Sequence, residues 1–144
     1  MKAKLYILTY NNEQHLNDGL TTLFAGDLSQ HELEVYIINN HTNFVLHPEF
    51  EDKVTVLHNV LQPDFGTGHT SRNWNQGLIH GFRDLNNPDC DVVILAQDDT
   101  NYHHNWLNLL YHAHFELGLH FFCVGAGDML HSYTPTAVKT VGLW

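Results

Sequence analysis

Basic residues are scarce in this chain: six Lys and Arg face sixteen Asp and Glu, for a formal charge of -10. Non-specific nucleic-acid binding needs a basic footprint, so nucleic acid is excluded as a partner class. Cysteine is scarcer still. Cys90 and Cys123 lie far apart, show no spacing of a structural zinc site, and read as free thiols. No apolar run approaches the roughly 20 residues of a membrane-crossing helix. The longest, Val92 to Ala96, has the length of a buried strand. Met1-Lys2-Ala3-Lys4 leads straight into a strand pattern without a cleavage signal, which predicts a cytoplasmic chain with no membrane span. The glycine signatures GxGxxG and GxxxxGK[ST] are also missing from the first strand-to-helix turn, where Thr9-Tyr10-Asn11-Asn12 stands instead.

What remains is a globular composition. The 144 residues are 43% apolar, enough for one domain spanning 1–144 with its own core. Thirteen histidines are scattered rather than clustered. They read as solvated or hydrogen-bonded side chains, and they make net charge sensitive to pH near imidazole's ordinary range.

Strand and helix patterns alternate. Lys4 to Thr9 is the first strand, and Asn11 or Asn12 can cap a helix carrying Leu16, Leu20, Leu23 and Phe24 at helical spacing. Gly26-Asp27 closes it. Leu33 to Ile38 and Val54 to Leu57 are further strands, and Gln62 to Thr70 carries turn residues. Thr70 or Ser71 can cap a helix to about Phe82. Asp91 to Ala96 is near-continuously apolar, as a strand buried on both faces is. A helix from about His104 to Leu117, a strand from Leu119 to Val124 and a short helix from Pro135 to Val141 complete the pattern. Such alternation predicts an α/β domain with a mostly parallel sheet. Ligands then sit beyond the carboxyl ends of the strands. That points to Thr9-Tyr10-Asn11, Asn39-Asn40 and Gln97-Asp98-Asp99.

The acidic pair Asp98-Asp99 follows a buried strand, where two adjacent carboxylates repel each other. A hard divalent cation with oxygen ligands offsets that cost. An acidic pair alone is equally a helix cap or a turn. Tyr10 offers a stacking face, and Asn39-Asn40 offer amides suited to a base edge or a ribose hydroxyl, although an ordinary Asx turn explains them as well. Arg72 sits at the predicted start of the helix after Gly66-Thr67-Gly68. A cation there opposes the helix dipole, and an anionic ligand would supply the reason. A surface ion pair is the plainer explanation.

Four segments in order, KLYILTYNN, EVYIINNHT, GTGHTSRNWNQGL and DVVILAQDDT, resemble a family 2 glycosyltransferase of the GT-A fold, a Rossmann-like sandwich. The resemblance implies a nucleoside-diphosphate sugar donor (UDP-, GDP- or dTDP-linked), a glycan or other hydroxyl acceptor, and Mn²⁺ or Mg²⁺. Thr9, Tyr10 and Asn11 would frame the base, with Asn39 where the family often has an aspartate. Gln97-Asp98-Asp99 takes the Asp-x-Asp positions, departing at Gln97. Asp99 is then the first metal ligand, Asp98 the second, with Gln97 on the ribose or sugar. Asn75 matches the asparagine of the helix motif. The family's late carboxylate base has only Asp128 as a weak counterpart, and the family begins its base region about where these residues stop, which implies either a truncated form or a compact domain that binds a donor without efficient transfer. A non-catalytic metal- or nucleotide-binding module is the alternative. A nucleotidyltransferase ranks last, because Thr9 to Gln14 has no Lys or Arg. The sequence leaves room for an oligomer.

Overall fold

The first strand, β1 (Lys2–Thr9), is buried almost throughout because alternate residues feed two layers. The computed structural model describes residues 1–59, 68–124 and 130–141. On one face of the sheet Ala3, Leu5 and Ile7 meet Leu16, Leu20 and Leu23 of α1 (Glu13–Ala25) and Trp106, Leu107 and Leu110 of α3 (Trp106–Tyr111). On the other face Tyr6 and Leu8 meet Leu78 and Phe82 of α2 (Gly68–Phe82) and Val138 of α4 (Pro135–Val141).

Parallel pairing joins β1 to β2 (Glu32–Asn39) and to β4 (Val92–Gln97), and β2 to β3 (Thr55–His58). β6 (Leu130–Tyr133) runs antiparallel beside β4, and β5 (Phe121–Val124) runs antiparallel beside β6 at the edge. The order is β3-β2-β1-β4-β6-β5. The fold is therefore α/β with a mostly parallel sheet, as the alternation predicts. Cys90 is buried, Cys123 is exposed, and neither forms a disulfide among the described residues. Among the described residues no helix is long and apolar enough to cross a membrane.

Three local outcomes differ from the pattern reading. β6 carries no apolar run: its inward residues are Leu130 and Ser132, and a fully buried serine reads as polar. Ser132 is tolerated because its Oγ donates to the Phe122 carbonyl at 3.1 Å and lies 2.8 Å from His114 Nε2. The helix expected from His104 begins at Trp106 and passes into a π-helical turn at His112–Glu116. α2 begins at Gly68, so Thr70 and Ser71 lie inside it rather than capping it. Arg72 is then the fifth helical residue, beyond the first turn, and the dipole argument for an anion at Arg72 does not hold there.

Close packing sets α2 on the sheet. A Cβ on Gly77 would lie 2.8 Å from Leu95 Cδ2, and one on Gly81 would overlap Val93. At the amino end of β1, buried Lys4 is 3.2 Å from Asp89, and Tyr6 Oη lies 2.5 Å from His80 Nδ1. Burial is the main cause holding His80 below its ordinary value, with Lys4 and Arg83 adding to it.

Candidate functional site at the diverging strand ends

The three strand ends singled out by the sequence lie side by side. Thr9 pairs with Asn39 and Leu8 pairs with Gln97. From β1 the sheet grows through β2 on one side and β4 on the other, so helices leave in divergent directions and a crevice opens at the carboxyl edge. A cleft of about 240 Å³ occupies it, lined by Leu8, Thr9, Tyr10, Asn11, Asn12, Gln97 and Asp98.

Asp98 is the hub. One carboxylate oxygen accepts from Thr9 Oγ1 at 2.9 Å and the other from Asn12 Nδ2 at 3.1 Å. Asn12 stands at the start of α1 but makes no side-chain cap; it spends its amide on Asp98 instead. Asn11 takes a left-handed backbone, φ 50°, which asparagine tolerates better than most residues and which lets the chain turn tightly into α1. Tyr10 is half-exposed, its ring 4.9 Å from that of His41.

Asp99 differs from its neighbour. It is exposed and makes no hydrogen bond among the described residues, and it is not part of the cleft lining. The turn that carries it is pressed against α1. A Cβ on Gly19 would stand 2.6 Å from the Thr100 carbonyl oxygen, so glycine is required for this approach.

Asn39 is buried and its polar atoms are engaged: Oδ1 accepts from the His41 amide, and Nδ2 bonds the His41 carbonyl and His58 Nδ1. Asn40 donates to the Thr9 and Ile38 carbonyls, leaving its buried Oδ1 without a partner among the described residues. Arg72 is half-buried on α2. Asn75 projects from the exposed side of the same helix. Asp128 and the stretch from Gln62 to Thr67 lie outside the described residues.

The inward asparagine of α2 is Asn73, fully buried. Its Oδ1 accepts from Asn59 Nδ2 at 3.0 Å, and the same amide reaches Gln76 Oε1 at 2.7 Å. Asn59 in turn donates its backbone N–H to the Asn39 carbonyl. Asn12, Asn59, Asn73 and Gln76 were missed by pattern alone, yet one signal was present. Asn73, Gly77 and Gly81 recur every four residues, which puts them on the sheet-facing stripe and Asn75 off it.

Among the described residues lining the cleft, none is Lys or Arg. No group of three or more His, Cys, Asp or Glu among the described residues could hold a metal ion by itself. Asp98 and Asp99 nevertheless fit a cation shared with a ligand, because Mg²⁺-like ions keep several waters and use one or two carboxylates plus substrate phosphates.

No protein-family profile matches the sequence, and no curated protein matches it. Solved structures do. S. aureus TarS (residues 1–349) aligns over 99% of this chain with a TM-score of 0.69 at 15% identity. The mannosyltransferase PcManGT from Pyrobaculum calidifontis, solved with GDP-Man and Mn²⁺, aligns over 97% with a TM-score of 0.66 at 12% identity. TarS has also been solved with UDP-GlcNAc and with UDP. The likeness is one of fold, and the fold is GT-A. The chain spans about half the length of these proteins, 49% and 46% respectively.

Proposed function

We propose that this chain is the donor-binding part of a glycosyltransferase, holding a nucleoside-diphosphate sugar in the cleft between the ends of β1 and β4. The observation that carries the proposal is the locking of Asp98 by Thr9 and Asn12 at the point where the strands diverge. Neighbours of the same fold have been solved with UDP-GlcNAc and with GDP-Man, which supports the class of ligand.

The residues divide the work. Tyr10 presents an exposed ring to the base. Asn40 and Asn73 stiffen the neighbouring β2 and α2 ends, Asn40 through the Thr9 carbonyl and Asn73 through Asn59. Asn39 positions the β2 turn rather than reading the base with a free amide. Asp98 fixes the acidic turn, and Asp99 keeps its oxygens open toward Mn²⁺ or Mg²⁺. A bound divalent cation would neutralise charge on the diphosphate, which matters in a cleft without Lys or Arg.

Calorimetry with UDP and GDP, with and without Mn²⁺, tests this reading. We expect binding that depends on the metal. Absence of binding by either nucleotide in either condition would sink the proposal.

A further inference from the structure

The acidic turn holds its carboxylates without regular structure of its own. Residues 98–105, between β4 and α3, belong to no strand or helix. Asp98 is tied by Thr9 and Asn12, whereas the Asp99 side chain makes no hydrogen bond among the described residues. The position of Asp99 is therefore set by its backbone, and that backbone is laid along α1. The Asp98 and Thr100 carbonyl oxygens straddle Gly19, 3.8 and 2.6 Å from where its Cβ would stand. One helical turn on, Thr22 Oγ1 accepts from the Tyr102 N–H at 2.9 Å. Beyond the helix end, Asp27 donates its N–H to the His104 carbonyl at 2.9 Å. The contacts follow the turn residue by residue, and Thr22 supplies the side chain among them.

A threonine hydroxyl has one proton to give. Thr22 donates it to the Gly19 carbonyl at 2.7 Å, which leaves its lone pairs to the Tyr102 N–H. The helix thus aims the hydroxyl, and the hydroxyl holds the turn. Valine would keep the shape and lose the acceptor; serine would keep both bonds. Thr21 offers a contrast on the same helix. Its hydroxyl also bonds back to the helix, at the Asn17 carbonyl 3.0 Å away, but the side chain is exposed and makes no bond to the turn. At the far end of the Thr22 bond, Tyr102 is buried with its ring 5.0 Å from that of Trp106. Slack at the Tyr102 N–H is then taken up on the exposed side of the turn, where Asp99 lies.

We propose that Thr22 is a positioning residue for the divalent cation: by holding the Tyr102 N–H it fixes the backbone that carries Asp99. The assignment rests on the donor-binding reading and adds to it a residue outside the cleft lining. Removing a partner that orients a metal ligand typically costs about 10–100-fold in metal affinity. A hydroxyl that merely stabilised α1 would have no such effect.

Calorimetry with Mn²⁺ and whichever of UDP and GDP binds the parent more tightly is the test. The Mn²⁺ concentration that gives half-maximal nucleotide binding should rise at least about tenfold in Thr22→Val. Thr22→Ser should return it to within about threefold of the parent, and Thr21→Val, the same change one residue away, should stay within about twofold. An unchanged Mn²⁺ requirement in Thr22→Val, or an equal rise in Thr21→Val, would overturn the proposal. Hydrogen exchange on the parent supplies a second measurement that needs no variant to fold. Adding Mn²⁺ and the nucleotide should slow exchange of the Tyr102 amide, and exchange indifferent to them would also overturn it. Failure of the parent to bind either nucleotide with Mn²⁺ would overturn the donor reading and the role of Thr22 with it. Parental binding that Thr22→Val leaves untouched overturns the role of Thr22 alone.

Discussion

The two flanks of the sheet are built on opposite principles. On the β1–β2–β3 side the strands are parallel, and their ends are tied by side-chain amides through Asn39, Asn40, Asn59 and Asn73. On the β6–β5 side the strands are antiparallel, and large apolar side chains such as Leu109, Phe115, Leu117 and Phe121 remain exposed. Fourteen of the sixteen acidic residues precede Thr100. One flank thus has the polar order needed to hold a charged ligand in a defined pose, and the other offers apolar area with little orientation. The acidic turn sits on the boundary. The proposed donor site draws on the first of these surfaces, and the chain segregates the two along its length.

The comparison breaks most sharply at Asp99. Asp99→Ala should lower metal-dependent UDP or GDP affinity by about 100-fold or more, since a charged ligand is lost, while changing melting temperature little because the side chain is exposed. Calorimetry and thermal melts on the same samples check both parts. Gly19→Ala should destabilise by about 1–3 kcal/mol, because its Cβ would meet the Thr100 carbonyl oxygen at 2.6 Å. The same variant should weaken nucleotide binding by displacing the turn, and normal affinity in a destabilised variant would separate the turn from the site.

Next comes Ser132→Ala, which removes a buried hydroxyl between Phe122 and His114. A loss of about 1–3 kcal/mol in denaturant titration is expected, with nucleotide affinity unchanged, because this bond belongs to the apolar flank. The pH response should be smaller. Burial holds His114 below 6.5, and burial with Lys4 and Arg83 holds His80 below 6.5. Both depressed values favour the neutral folded form. Their stability contribution is therefore complete above 6.5 and is lost as pH falls through 6.5 toward the folded values. Melting temperature should fall over that window, and His80→Gln should flatten part of the fall. Smallest of all, Asn75→Ala should change stability and nucleotide affinity by no more than about 0.5 kcal/mol, whereas Asn73→Ala, which empties a fully buried site and removes one acceptor of the half-buried Asn59 amide, should exceed it.

The parallel flank was legible because its signals are local and repeated. β1 and β4 announce themselves as apolar runs, α1 by the spacing of Leu16, Leu20 and Leu23, and the strand ends follow from the α/β rule. β6 was not legible, since its core position is a serine made tolerable only by His114 and the Phe122 carbonyl. The amide network was hidden for a similar reason: Asn12 has the local signature of a cap, and only the approach of Asp98 gives its side chain a better partner.

Hydrophobic periodicity and strand-end composition alone determined the α/β class, the succession of strands and helices along the chain and the place of the acidic pair. Those properties depend on residues within a few positions of each other. The tertiary structure decided which asparagine faces inward and which carboxylate is locked. It also decided that the acidic turn lies along α1. Each of these requires groups far apart in the chain to meet, as Thr9 and Asn12 meet Asp98, and no local pattern records that encounter.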